Sequence, residues 1–325
     1  MRAITDEHLQ AYLEGGCLQK LFYVIKKDPE LSFEIRMKNE VMIYYHKDRI
    51  LTIHFSKGKP SIDILSEKYY KNATSPSVSF MYDDLMETLR HTDQLRKYFK
   101  EAKRLIGSYK AGLEFEVQQN IALGNRSFNN RFVVVDMEWQ LPQSDIKVEE
   151  RISRTRFDLV MVDTKKNDMG ENDIYLGELK VGTGATGGKS GIIDHVNKTK
   201  KFISNAKACA ALRKDVESII RQKAVLGLFE GDYTGLNLSD MPRMMLILAY
   251  RGNEEKEALK EQGKSAKDKA RRAKGFASPQ SSLCNTPERL RQCARESPRS
   301  AGIFQRSAHQ NPPRNRRVPS HTPSR

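Results

Sequence analysis

The sequence is poor in cysteine and has no long apolar run. Its 325 residues include four cysteines, Cys17, Cys209, Cys284 and Cys293, and no two of them form a Cys-x-x-Cys pair. That scatter fits reduced thiols better than a disulfide framework or a zinc site. No apolar stretch approaches the roughly 18 residues needed to span a bilayer, so a membrane span is not expected. The opening residues, Met1 to His8, lack the apolar core of an export signal. A cytoplasmic protein is therefore expected. There is no internal repeat, and no helicase or NTPase motif is complete. Hydrophobic residues make up 38% of the chain, which is low for a protein packed throughout. Part of the chain is expected to lie outside any core.

What is abundant is charge, and it is unevenly placed. The formal net charge is +15, from 56 basic and 41 acidic residues. Residues 264–325 hold 15 Lys and Arg against 3 Asp and Glu, leaving 41 against 38 in residues 1–263. The same tail carries seven of the twelve prolines and few large apolar residues. It is expected to be a disordered basic tail, since it cannot offset its ordering entropy by burial. Bulk charge alone is thus a weak pointer to nucleic acid.

Apolar periodicity divides the rest. Residues 1–28 carry a helical stripe through Leu9, Tyr12, Leu18, Leu21, Phe22 and Ile25. From Leu31 the period shifts towards two. The runs 41–45 and 50–55 flank a turn at 46–49, which predicts a hairpin, and 61–65 reads as a further strand. Residues 1–75 are therefore predicted to be a small α+β unit, followed by connecting helices over 76–106. A second helical run over 113–123 stops near Gly124. Strands are predicted at 131–141, 155–163 and 174–181, a Gly-rich loop at 182–191, helix over 192–221, and a buried strand from Met244. The order is α-β-β-β-α-β, an α/β domain with a mixed central sheet spanning 107–262. The tail follows from 263.

Two of these strands carry misplaced charge. Asp158 interrupts the apolar run Phe157-Asp158-Leu159-Val160-Met161-Val162. Alternation puts Ile174, Leu176, Glu178 and Lys180 on one face of the next strand. Charges on a core-facing side cost several kcal/mol each unless they are paired or bind a metal. A hairpin between the strands would bring Asp158 and Glu178 together as an oxygen-rich site suited to Mg²⁺. Lys180 could then orient or deprotonate water, or neutralise charge on phosphorus.

A strand Asp, about twenty residues, then Glu-x-Lys in this element order resembles the PD-(D/E)xK, or restriction-endonuclease-like, nuclease superfamily. The resemblance covers about residues 107–250. It is similar in particular to a bacterial group in which Glu-Leu-Lys precedes a Gly-rich Gly-Lys-Ser-Gly stretch and an Asp-His pair, here Gly182 to Gly191 with Asp194 and His195. Phe157 stands where the superfamily's proline would be. The resemblance implies a nuclease acting on DNA. Asp158, Glu178 and the Leu179 carbonyl would bind Mg²⁺ or Mn²⁺, and Lys180 would position the attacking water. It also implies a helix acid, for which Glu114 and Glu116 both qualify, with Glu114 taken first. His195 would point at the site from the following helix, against the alternative of a surface histidine. Asp194 reads as a first-turn helix acid. Asp136 and Glu138 share a predicted strand face and read as structural.

The loop 182–190 imitates a phosphate-binding P-loop, but the first glycine that rule requires falls on Thr183. Gly188, Lys189 and Ser190 are still expected to hold a phosphate of the nucleic acid. Two rival functions follow: a catalytically silent nucleic-acid-binding protein, and a P-loop-like nucleotide binder. Residues 1–75 fit substrate recognition, docking of a protein partner or homodimerisation equally.

Overall fold

The computed structural model describes residues 1–46, 48–69, 85–108, 113–141, 155–182 and 192–249. The predicted tail and the predicted phosphate-holding residues Gly188, Lys189 and Ser190 lie outside these. Among the described residues the protein is mixed α and β, with seven α-helices and two four-stranded sheets.

The first unit begins with α1 (Asp6–Tyr12) and α2 (Gln19–Lys27). Thr5 caps α1 by accepting from the His8 N–H, and Asp6 and Glu7 sit in its first turn, where the helix dipole favours acids. Four strands follow as an antiparallel meander in sequence order: β1 (Ser32–Arg36), β2 (Glu40–Tyr45), β3 (Asp48–Ser56) and β4 (Lys59–Asp63). Between β1 and β2, Lys38 and Asn39 both adopt positive φ, a costly backbone for non-glycine residues. Asn39 is held there by its side chain, which accepts from Thr5 N at 2.8 Å and donates to Phe55 O at 2.8 Å.

Helices α3 (Leu85–Arg90) and α4 (Thr92–Ser108) pack into this same core. Leu95, Phe99, Ala102 and Ile106 of α4 are buried with Leu21, Ile35, Ile43 and Ile53. The segment predicted as a connector thus supplies a wall of the first unit.

The second unit runs α5 (Leu113–Gly124), β5 (Phe132–Gln140), β6 (Arg156–Lys166), β7 (Asn172–Val181), α6 (Ile192–Ile203), α7 (Ala206–Val225) and β8 (Arg243–Ala249). The strands lie in the order β5-β6-β7-β8, the first three antiparallel and the last pair parallel, so the sheet is mixed. The predicted helix over 192–221 is two helices. Asn205 breaks it, since its side chain accepts from Ala208 N at 3.0 Å and caps α7.

Helices cover both faces of this sheet. Val160, Ile174 and Leu176 pack on one side against Leu212 and Val216 of α7 and Phe202 of α6. Leu159, Met161 and Leu179 pack on the other with Ala122 of α5 and Met245 of β8. Strand β7 is accordingly buried along nearly its whole length. Gly177 lies where β7 meets β6 closely. A Cβ there would stand 2.9 Å from Met161 Cε and 3.1 Å from Leu159 Cβ.

Candidate active site

Strands β6 and β7 pair in antiparallel register through Leu159 and Gly177, so their next residues, Asp158 and Glu178, are brought alongside each other. The Leu179 N–H donates to Asp158 Oδ2 at 2.8 Å. One turn into α5, the Gln118 side-chain amide donates to the Asp158 carbonyl oxygen. Asp158 is therefore fixed through both its side chain and its backbone.

Glu178 and Lys180 are 4% and 5% exposed, as the shared core-facing side requires. Lys180 Nζ lies 2.6 Å from Glu178 Oε1, and His195 Nδ1 from α6 lies 2.9 Å from the same oxygen. His195 thus turns inward to the site. Asp194, in the first turn of α6, turns to Lys198 at 2.8 Å instead.

Electrostatics tie further groups to this cluster. Burial, followed by the neighbouring Glu178 charge, pushes the Asp158 carboxyl up to about 7, with Glu138 and Glu114 acting in the same direction. Burial by itself would lower the Lys180 ammonium, but its hydrogen bond to Glu178 and the charges of Glu178, Glu114 and Asp158 together outweigh that and raise it. Lys180 is therefore held as a cation. Glu114 acts on both Asp158 and Lys180, whereas Glu116, two residues on, acts on Tyr45 of the first unit. A two-residue step turns about 200° around a helix, which explains why the two acids face different neighbours.

Asp136 and Glu138 also part company. Asp136 is 1% exposed and takes Arg2 Nη1 and Arg36 Nη1 at 2.7 Å each. Glu138 has a φ of 56° and pairs with Arg156 at 2.9 Å. Met137 packs on one face of the sheet and Trp139 on the other, so the simple alternation that had put both acids on one face breaks at Glu138 itself, where φ is positive. Sequence reading missed Glu138 as a contributor at the site, because a positive φ on a glutamate leaves no mark in the sequence. Gln118 had a signal: it lies four residues after Glu114 on the same helix face.

A divalent cation suits this donor set. Asp158 Oδ1 and Glu178 Oε2 carry no hydrogen bond among the described residues, while the partner oxygen of each carboxylate is engaged. Two adjacent carboxylates with an excess of negative charge around them are a hard-cation environment. Among the described residues no three His, Cys, Asp or Glu side chains converge as a complete metal-binding group. A cation here would therefore draw on the two carboxylates, the Leu179 carbonyl and solvent. The chain matches no protein-family model, no curated protein and no solved structure.

Proposed function

We propose that this protein is a metal-dependent nuclease of the restriction-endonuclease-like type, hydrolysing phosphodiester bonds in DNA with Mg²⁺ or Mn²⁺. The observation that carries the reading is the meeting of Asp158, Glu178 and Lys180 on paired strands, with Glu114 from the preceding helix and His195 from the following one. A buried network of this composition is costly as pure structure, because each charge must be desolvated.

When bound, the cation supplies Lewis-acid stabilisation of the charge that develops on the phosphate. The rest falls to the protein. Asp158 and Glu178 offer the free oxygens Oδ1 and Oε2. The Leu179 N–H and Gln118 fix Asp158, and His195 fixes Glu178. Lys180, kept charged by Glu178, orients the attacking water and faces the anionic substrate as a cation. It is a poor general base in this state, since its proton is held more tightly than usual.

The test is cleavage of several DNA and RNA substrates in Mg²⁺ or Mn²⁺ by wild type, Asp158→Ala and Lys180→Ala. Wild type is expected to cut, and each variant to lose about a hundredfold or more. The reading fails if wild type shows no metal-dependent cleavage, or if both variants keep full activity.

A further inference from the structure

Residues 1–263 are nearly neutral in sum, yet their positive charge is concentrated. Helix α2 carries Lys20, Lys26 and Lys27 and no acid. Helix α4 carries Arg96, Lys97, Lys100, Lys103 and Arg104 against Asp93 and Glu101. The two helices pack together. They hold eight cations against two carboxylates, although residues 1–263 hold only 41 against 38. Everything else in that stretch is therefore net negative.

A groove of about 930 Å³ opens along this helix pair. Lys27, Arg96, Lys100, Lys103 and Arg104 all line it. Lys103 is committed to Asp28 and Glu30, at 2.5 Å and 2.8 Å. Lys27 and Lys100 are exposed and form no ion pair among the described residues. Arg96 holds only the exposed Asp93 of its own helix, a pair that contributes little and exchanges readily, whereas Arg104 forks onto the half-buried Glu101 through Nε and Nη2 at 2.9 Å and 2.6 Å and keeps its Nη1 donors unengaged among the described residues.

The spacing narrows the ligand. Arg96, Lys100 and Arg104 recur every fourth residue, so they form a row with a step of about 6 Å. A row of cations at a fixed step suits a repeating anion, not a single phosphate group. Tyr23, 50% exposed, also lines the groove beside Lys27, whose Nζ lies 5.9 Å from its ring centroid. Cations that follow a backbone, together with an accessible aromatic face, make the pattern by which proteins hold single strands without reading sequence.

We propose that the groove between α2 and α4 is a binding track for a single strand of nucleic acid, separate from the Asp158 site. Lys27, Lys100, Arg96 and Arg104 contact phosphates, and Tyr23 stacks on a base. The track belongs to the first unit and needs no metal, so it does not depend on the catalytic reading.

The test uses the full chain, with its basic tail present in every sample, in EDTA and in an Asp158→Ala background. Anisotropy of a labelled oligo-dT is followed through a salt series for the parent, Lys27→Gln/Lys100→Gln, Tyr23→Ala and Tyr23→Phe. Each lost phosphate contact flattens the log–log salt dependence by about 0.7 on a single strand. The double lysine variant is therefore expected to be shallower by about 1.4. Tyr23→Ala is expected to bind about fivefold more weakly or worse, and Tyr23→Phe to bind as the parent does. An unchanged slope overturns the proposal, as does equal binding by the two Tyr23 variants, or preference for anionic lipid vesicles over the oligonucleotide. Metal-dependent cleavage by wild type alongside an unchanged slope would sink the track alone. The reverse result would sink the nuclease reading alone.

Discussion

Arg2 and Asp136 meet at 2.7 Å with both side chains almost wholly buried, although 134 residues separate them in the chain. Arg36 of β1 takes the other Asp136 oxygen at 2.7 Å, and Arg2 Nη2 donates to the Glu138 carbonyl at 2.9 Å. Nearby, Lys223 of α7 reaches Glu34 of β1 at 2.8 Å and the Val135 carbonyl at 2.9 Å. The two units are thus joined by buried charge as well as by apolar packing.

The asymmetry of that cluster sets an order of damage. Asp136→Asn leaves two buried guanidiniums without their counter-charge and should cost about 3–5 kcal/mol. Arg2→Met leaves Asp136 paired with Arg36 and should cost clearly less. Urea unfolding of the three proteins checks this, and the opposite ranking would refute it.

The helix acid can be assigned by substitution. Glu114→Gln should lower metal-dependent cleavage by about 10–100-fold, as loss of a group supporting a metal site does. Glu116→Gln should stay within about twofold, since its charge acts on Tyr45. Equal effects would mean that α5 presents both acids to the site.

Asp158 offers a spectroscopic check that needs no substrate. Its carboxyl, pushed up to about 7 first by burial and then by Glu178, should titrate near neutral pH in metal-free protein, followed by carboxyl ¹³C NMR. Glu178→Gln removes a neighbouring negative charge and should move that titration towards the ordinary carboxylate range. No movement would mean that burial alone sets it.

His8 predicts acid sensitivity of the first unit. Its ring stacks on Phe55 with centroids 4.9 Å apart, Nε2 lies 2.8 Å from the Tyr12 hydroxyl, and burial lowers the imidazole to about 4. The folded value lies below the unfolded one, so the unfolded chain binds the proton more readily between them. Stability from this group is complete above about pH 6.5 and falls as the pH drops towards 4, by up to about 3 kcal/mol. His8→Phe should be less stable than wild type at pH 7, because the Tyr12 hydroxyl loses its partner. It should also lose less stability between pH 7 and pH 4.5. Urea midpoints at the two pH values compare the slopes, and parallel slopes would count against His8 as the cause.

Much of the second sheet was legible because its strands are long, apolar and regularly alternating. The same period of two placed Glu178 and Lys180 beside each other on a core-facing side, where the structure has them. The misses have physical causes. Asn205 ends a helix through a cap whose signal is one side chain inside a continuous helical pattern. Asp136 looked like a companion to Glu138, but its partners are Arg2 and Arg36, and no local pattern encodes a contact over 100 residues. The stripe on α4 announced a buried face without naming the core it joins. Net charge, summed over the chain, concealed the excess of cations on the helix pair α2 and α4.

Residues 2–4 close against helix α7: Arg2 N donates to Asp215 Oδ1 at 2.7 Å, and Ile4 exchanges two hydrogen bonds with Gln222. These contacts span 213 and 218 residues, so residues 2–4 can find their place only once α7 has been made. At about 5–20 residues per second, that wait is roughly 10 to 40 seconds during synthesis. Throughout it the backbone groups of Arg2 and Ile4 have neither Asp215 nor Gln222 to bond. Residues 2–4 thus act as a clasp on α7, held by three hydrogen bonds that no part of the first unit can supply.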